Sequence, residues 1–138
     1  MEKFEFLEHT ADVKFRSYGE TLEEAFKNAG LALKKTILGK NEIKGKMEKT
    51  FTINTKDKEA LLREFLDEFL YLLEGENFVI KDIENIEIKR NNGYQLKARV
   101  IGDKTSKYDI SNSVKAVTYN DMFIRKNKKW TCQVVLDV

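Results

Sequence analysis

The segment Trp130-Thr-Cys-Gln-Val-Val-Leu-Asp137-Val138 closes the chain with alternating apolar side chains that continue to the last residue. Because most chain ends are polar and frayed, this pattern predicts a terminal strand that is hydrogen-bonded into a sheet. A fixed terminus would hold the Asp137 side chain close to the Val138 α-carboxylate. Two neighbouring anions repel each other, and a bound cation is the usual compensation.

A second acidic cluster, Glu8-His9-Thr10-Ala11-Asp12, lies near the other end of the chain and contains its single histidine. If the strand after Asp12 is antiparallel to the last strand, Asp12 and Asp137 lie at adjacent strand ends. The side-chain alternation places both aspartates on the more polar face of their strands. Their oxygens would then converge on one hard divalent ion. The alternative, which the pattern alone favours, is a pair of solvated strand-end carboxylates.

Composition limits the classes of protein to consider. The chain has 138 residues, with 25 basic and 23 acidic side chains and a net charge of +2. We therefore expect a single domain over residues 1–138, with no overall field that favours nucleic acid or a membrane. The chain shows no signal-peptide pattern and no apolar run long enough to span a bilayer. Its one cysteine, Cys132, is expected to be a buried packing residue in a cytoplasmic protein.

Hydrophobic periodicity predicts the secondary structure. Thr21 and Glu24 form a capping-box pattern that starts a helix reaching Ile37, and Asp57 starts a second amphipathic helix that ends near Leu73. Strands are predicted at residues 3–8, 12–18, 47–55, 78–81, 86–89, 94–101, 114–118, 122–126 and 130–138. Residues 102–112 are predicted to be a polar loop. The fold class is therefore α+β, a two-layer sandwich of mostly antiparallel sheet with the two amphipathic helices on one face.

Other patterns point less clearly to a function. The chain has no second histidine for zinc, no paired cysteines and no Ser-His-Asp order, so no catalytic residues are predicted. A lone histidine such as His9 is either functional or a satisfied structural residue. One predicted hairpin carries basic and aromatic side chains, and it is either a nucleic-acid surface or a solvated strand face: Lys89, Arg90, Tyr94, Lys97 and Arg99.

Three stretches together resemble the archease family. The first is Glu8–Val13 followed by Tyr18–Phe26, the second is Lys115-Ala-Val-Thr-Tyr119, and the third is Val134–Val138. Their order and spacing fit the family across essentially the whole chain. The resemblance is specific because the three motifs occur together in register.

The resemblance implies a non-enzymatic activator of the tRNA-splicing ligase, which joins 2′,3′-cyclic-phosphate or 3′-phosphate RNA ends to 5′-hydroxyl ends. Such an activator promotes guanylylation of the ligase's active-site histidine and allows multiple turnovers, with only indirect or weak contact to RNA. The family's divalent-metal site carries over to Asp12, Asp137 and Val138. His9 and Lys115 are the supporting residues, and calcium is the expected ion, with magnesium and manganese as alternatives.

One position departs from the family pattern. Archeases usually continue Thr-Tyr with His, whereas this chain has Asn120, which cannot shuttle a proton near neutral pH. Two other functions remain open. One is a chaperone-like protein-binding module without metal chemistry. The other is a small metal-dependent hydrolase using Asp12, Asp137 and His9, which is disfavoured because one histidine supplies at most one nitrogen ligand or one base.

Overall fold

The computed structural model describes residues 2–9 and 11–138. In this part of the chain the elements follow in the order β1 (Phe4–Leu7), β2 (Val13–Gly19), α1 (Leu22–Leu38), β3 (Met47–Thr55), α2 (Lys58–Gly75), β4 (Phe78–Arg90), β5 (Tyr94–Lys104), β6 (Ala116–Lys126) and β7 (Trp130–Asp137). A short 3-10 turn, Thr105–Lys107, follows β5. No helix in the described ranges combines the length and the hydropathy needed to cross a membrane.

The strands form two antiparallel sheets. One sheet has four strands in the order β1-β2-β7-β6, and the other has three in the order β3-β5-β4. Both helices contact strands of both sheets and also contact each other. The predicted α+β class, with mostly antiparallel strands and two amphipathic helices, is confirmed. The sequence pattern did not predict that the strands divide between two sheets. Pairing depends on long-range contacts, and the periodicity within one strand carries no information about them.

Two pairs of predicted strands are each one continuous strand. The segments predicted at 78–81 and 86–89 both belong to β4, whose register against β5 shifts after Ile80 and again after Ile83. The segments predicted at 114–118 and 122–126 correspond to β6, which begins at Ala116 and whose register against β7 jumps between Thr118 and Phe123. Each bulge inserts extra residues and breaks the alternation, so the sequence pattern predicted a gap where the strand only bends. The polar loop predicted from residue 102 begins later, because β5 pairs with β4 as far as Lys104.

Both helices begin at the predicted capping residues. The Thr21 hydroxyl accepts a hydrogen bond from the Glu24 N–H at 3.1 Å, and the Glu24 carboxylate accepts one from the Glu20 N–H at 3.1 Å. The Asp57 carboxylate accepts the Ala60 N–H at 2.8 Å and starts α2. These bonds satisfy N–H groups that have no partner within the helix.

The junction between β2 and α1 is held by close backbone contacts. A Cβ atom at Gly19 would lie 2.4 Å from the Ala25 nitrogen, which leaves room only for glycine. The Ser17 hydroxyl donates to the Ala25 carbonyl at 2.8 Å, and the Asn28 amide donates to the Tyr18 carbonyl at 2.7 Å. These bonds fix the start of α1 against β2, the strand that follows the acidic cluster.

The core lies between the helices and the sheets and is rich in aromatic side chains. The Phe65 ring lies 6.0 Å from Phe26, 6.2 Å from Phe51 and 5.4 Å from Phe69, measured between ring centroids. Cys132 is fully buried on the same side of the sheet as these helices, as predicted. Burial raises the pKa of the Cys132 thiol to about 12, so it stays protonated and packs as a small apolar group.

Candidate functional site

The pairing of β2, β7 and β6 brings the three sequence motifs to one edge of the four-stranded sheet. Val13 is paired with Leu136, which places Asp12 and Asp137 at neighbouring ends of adjacent strands. Asp137 is in turn paired with Ala116, and the Lys115 N–H donates to the Asp137 carbonyl at 2.7 Å. The predicted sheet bonding of the terminal strand is confirmed. We call Asp12, Lys115, Asp137 and Val138 the carboxylate edge.

The carboxylate edge is solvent-accessible but its backbone is anchored. The Asp12 side chain is 33% exposed, and Asp137 and Lys115 are exposed. Val138 lies just beyond the end of β7 and is half-buried against the core. Because β7 is bonded to a strand on each side, the charged groups are presented from a rigid part of the sheet. Oxygen donors in this setting remain open to solvent and to ligands.

His9 lies beside Asp12. Its Nδ1 atom is 3.6 Å from Oδ2 of Asp12, which is longer than a hydrogen bond, so the attraction requires a protonated imidazole. Between them, Ala11 adopts a φ of 68°, in the left-handed region that costs a non-glycine residue about 1 kcal/mol or more. Thr10, in the same motif, lies outside the described residues. The strained turn directs the chain from the acidic cluster into β2.

Side chains alone do not make a metal-binding cluster in the described residues. Over residues 2–9 and 11–138, no three or more His, Cys, Asp or Glu residues are grouped to hold an ion. The predicted set has only two such side chains, those of Asp12 and Asp137, and its third ligand is the Val138 α-carboxylate. Such a set consists of hard anionic oxygens, which fit calcium, magnesium or manganese better than zinc. The metal site stays a prediction.

A bulge in β6, residues 119–122, lies next to the carboxylate edge. Asp121 has a φ of 54°, and its carboxylate lies 3.6 Å from the Lys14 ammonium. Its backbone carbonyl accepts a hydrogen bond from the Gln133 amide at 2.7 Å. Asn120, at the position where the family usually has histidine, is exposed, and its N–H donates to the Thr118 hydroxyl at 3.2 Å. Sequence reasoning did not select Asp121, although Asn120-Asp121 is a turn-forming pair between two predicted strands.

The basic hairpin considered from sequence is largely neutralised by nearby acids. The Lys89 ammonium lies 3.2 Å from Glu87, and Arg99 lies 3.6 Å from Glu48. Lys97 is paired in register with Glu87, and Arg90 stacks on Tyr94 at 5.8 Å. These exposed pairs indicate a solvated strand face rather than a nucleic-acid surface.

The fold and the edge together define a class of protein: a two-sheet α+β structure in which both terminal segments bring aspartates to one sheet edge. A model of the archease protein family matches residues 4–138, and the chain belongs to that family. The resemblance seen in the sequence motifs is thereby confirmed.

Known proteins from archaea are similar over the full length. The chain is 39% identical over 140 residues to the protein archease of Methanosarcina mazei, covering 99% of this chain and 96% of that protein. It is 38% identical over 142 residues to that of Pyrococcus abyssi, covering 100% of both. The sequence similarity therefore extends over the whole chain and is not confined to one motif.

Two solved structures share the fold. The solution structure of Methanobacterium thermoautotrophicum protein 1598 matches with a TM-score of 0.80 at 27% identity, covering 100% of both chains. A crystal structure from Thermotoga maritima, described as an archease and possible chaperone, matches with a TM-score of 0.59 at 18% identity, covering 96% of this chain and 94% of that one. At that identity the second match supports the fold alone.

Proposed function

We propose that this protein is a non-enzymatic activator of the tRNA-splicing ligase, the enzyme that joins 3′-phosphate or 2′,3′-cyclic-phosphate RNA ends to 5′-hydroxyl ends. It promotes guanylylation of the ligase and multiple turnover through a divalent-metal site. Membership of the archease family supports the proposal. The single observation that carries it is the antiparallel pairing that puts Asp12 and Asp137 at adjacent strand ends.

The residues of the proposed metal site are Asp12, Asp137 and the Val138 α-carboxylate. Three anionic oxygens suit a hard cation, with calcium expected and magnesium or manganese as alternatives, and such an ion would neutralise their repulsion and attract phosphate. The pairing of Val13 with Leu136 and the Lys115 N–H bond to the Asp137 carbonyl hold the two strand ends in place.

Lys115 is the residue that would engage the partner's nucleotide. It is exposed and adjacent to Asp137, and none of the described carboxylates lies within 4.0 Å of its ammonium. An unpaired ammonium binds phosphate as a flexible point charge. His9, beside Asp12, supports the same edge through its charge when protonated.

Asp12→Ala and Asp137→Ala test the proposal. Each variant should abolish stimulation of the cognate ligase at limiting enzyme, because the cation site loses one of three anionic ligands. Loss of a solvated strand-end carboxylate should change the free energy of unfolding by only about 0.5 kcal/mol. The measurements are ligase guanylylation, multiple-turnover ligation and the thermal melt of each variant.

The matched control is Asp109→Ala, which removes an exposed aspartate from a loop away from the carboxylate edge. It should stimulate the ligase as well as the wild type does. If Asp12→Ala and Asp137→Ala stay folded and stimulate fully, the metal-centred mechanism is wrong.

A protein-binding module without metal chemistry is the second candidate. The observation that favours it is the exposure of Tyr119, which is 52% accessible and lies in the bulge next to the carboxylate edge. The Arg63 guanidinium lies 5.1 Å from the centre of this ring. An exposed aromatic side chain held by an arginine is typical of protein contacts. Loss of stimulation in Tyr119→Ala, together with full activity of the aspartate variants, would favour this candidate.

A further inference from the structure

The two faces of the four-stranded sheet differ in what covers them. On one face, Phe15 and Cys132 are fully buried, and Ser17 is hydrogen-bonded to the backbone of α1. Trp130, on the same face of β7, lies 5.6 Å from the ammonium of Lys58 at the start of α2. The helices therefore cover this face. The alternation of β2 and β7 directs the intervening side chains to the opposite side.

That opposite side, which we call the outer face, consists mainly of cations and aromatic rings. Arg16 and Phe123 are both paired with Gln133, so the three form one row across β2, β7 and β6. In the next row, Tyr18 and Arg125 are both paired with Thr131. Further cations come from Lys14 in β2 and from Lys129 in the turn before β7. We define the outer face by Lys14, Arg16, Tyr18, Phe123, Arg125 and Lys129.

The two arginines of the outer face are held in place. The Arg125 guanidinium lies 3.9 Å from the centre of the Phe123 ring, and that of Arg16 lies 5.6 Å from the same centre. The Arg16 Nε–H donates to Oε1 of Gln133 at 2.9 Å, and Gln133 is only 5% exposed. Lys129 is positioned in a similar way, with its ammonium 4.2 Å from the centre of the Tyr18 ring. Because these three side chains are already held in place, they lose little conformational entropy when a ligand binds.

Two acids lie beside the cations of the outer face: Asp121, and Glu5, which is paired in register with Arg16 and accepts the Tyr18 hydroxyl at 2.6 Å. Among the described residues, the one ion pair on this face joins Lys14 to Asp121, whereas Arg16, Arg125 and Lys129 have no carboxylate within 4.0 Å. Some cations elsewhere, such as Arg99 and Lys89, are paired with acids, whereas others, such as Lys40, Lys44 and Lys115, are in no ion pair of the described residues. The outer face therefore differs from the other cationic positions in having two arginines fixed beside an aromatic ring without a described carboxylate within 4.0 Å.

We propose that the outer face binds single-stranded RNA directly. The terminal nitrogens of two fixed guanidiniums match the oxygens of phosphate, and the half-buried Phe123 ring, with the arginines beside it, offers a surface against which an unpaired base can stack. Tyr18 is only 8% exposed, so its ring positions Lys129 and does not itself receive a base. No helix of the described chain covers this side, and its accessible layer is formed by the long cationic side chains and the Phe123 ring, above the buried Gln133 and Val135. Arginines beside an aromatic ring suit a strand that has both phosphates and exposed bases. An acidic protein surface would use the cations but not the ring. This inference goes beyond the proposed function because it requires neither the metal nor the ligase.

The test is a titration of a short fluorescein-labelled oligouridylate, followed by fluorescence anisotropy in EDTA without ligase. The Arg16→Gln/Arg125→Gln variant should bind several-fold more weakly than the wild type. Between about 50 and 200 mM salt, the slope of log Kd against log salt should fall by about 1.4, since each phosphate contact on a single strand contributes about 0.7. The Arg16→Lys/Arg125→Lys variant retains the charges and should keep most of the slope.

Lys40→Gln/Lys44→Gln is the matched control, because it removes two exposed cations far from the outer face. It should bind like the wild type. Equal affinity and slope in the Arg16→Gln/Arg125→Gln variant, or the same loss in the control, would overturn the proposal. Binding of polyglutamate in preference to the oligouridylate would also overturn it and indicate an acidic protein partner. Thermal melts confirm that each variant is folded.

A variant of the carboxylate edge provides an independent test of RNA binding. Asp12→Ala/Asp137→Ala should bind the oligouridylate at least as tightly as the wild type, since it removes negative charge from the same sheet. If the wild-type protein failed to stimulate the ligase but bound the oligouridylate, the proposed function would be rejected and the RNA-binding proposal would stand. Loss of RNA binding in this folded double variant would count against the outer face as the site.

Discussion

Gly19 and Ala11 show how single residues position the carboxylate edge. Gly19 lets the backbone of α1 approach β2 so closely that no Cβ atom fits. Ala11 holds a left-handed φ of 68° just before β2 begins. The chain thus enters β2 through a strained turn and leaves it through a tight one. Both constraints act on β2, which begins directly after Asp12 and pairs with β7.

Gly19→Ala should destabilise the protein by about 1–3 kcal/mol or more, because the new Cβ would meet backbone atoms that cannot move independently of α1. The measurement is the free energy of unfolding in urea. Gly75→Ala is the control, since its Cβ would meet only the ring of the exposed Tyr71, at 3.2 Å. A Gly19→Ala variant as stable as the wild type would show that this junction is not tightly constrained.

At the scale of elements, α2 connects the two sheets. Its apolar side contributes Phe65, which is fully buried and contacts aromatic rings of α1, β3 and α2 itself. Arg63, on the same helix, donates to the Val117 carbonyl in β6 at 3.1 Å and stacks on Tyr119. The helix that completes the core therefore also supports the bulge beside the carboxylate edge.

Phe65→Ala should cost about 3–5 kcal/mol of stability, because it removes a large buried side chain and leaves a cavity among aromatic rings. Activity lost in this variant should follow the unfolded fraction and return on cooling. The comparison is Tyr71→Ala, on the same helix but 56% exposed, which should change stability by about 0.5 kcal/mol or less. Thermal melts of both variants measure the two changes in stability. If Phe65→Ala and Tyr71→Ala destabilised the protein to a similar extent, α2 would not be the centre of the core.

At the scale of the whole molecule, the four-stranded sheet carries two groups of charged side chains on the side away from the helices. One end of its strands carries the carboxylates of Asp12, Asp137 and the terminus, and its outer face carries Arg16, Arg125 and Lys129. Both depend on β7, which lies between β2 and β6. The terminal strand therefore supports both the proposed metal site and the proposed RNA-binding face, and an extension of the chain there tests the proposed Val138 ligand directly.

A short C-terminal extension should weaken calcium binding, because it converts the Val138 carboxylate into a neutral amide carbonyl and removes one anionic ligand. The fold should be retained, since the apolar side of β7 is unchanged. Calorimetric titration with calcium, magnesium and manganese measures the effect. Val138→Ala is the matched control, which keeps the terminal carboxylate and should bind like the wild type. Equal affinity of extended and wild-type protein would exclude Val138 as a ligand.

Much of the site was predictable because its determinants are local. The alternation in the last strand predicted that the C-terminus is bonded into a sheet, and β7 confirms this. The alternation also predicted that Asp12 and Asp137 lie on polar faces of their strands. The register of β2 with β7 places the two aspartates at adjacent strand ends. The contact of His9 with Asp12 also follows from their short separation in the sequence. Metal binding itself stays a prediction, as does the single domain over residues 1–138.

The sequence by itself determined the type of each main element, since periodicity, capping residues and glycines act within a few neighbouring residues. Only the tertiary structure decided that the strands form two sheets, that β4 and β6 are continuous through bulges, and that Asp121 meets Lys14. It also decided that Arg16 and Arg125 share one aromatic ring, although they are far apart in the sequence. Strand pairing and register are set by long-range packing, which no local pattern encodes.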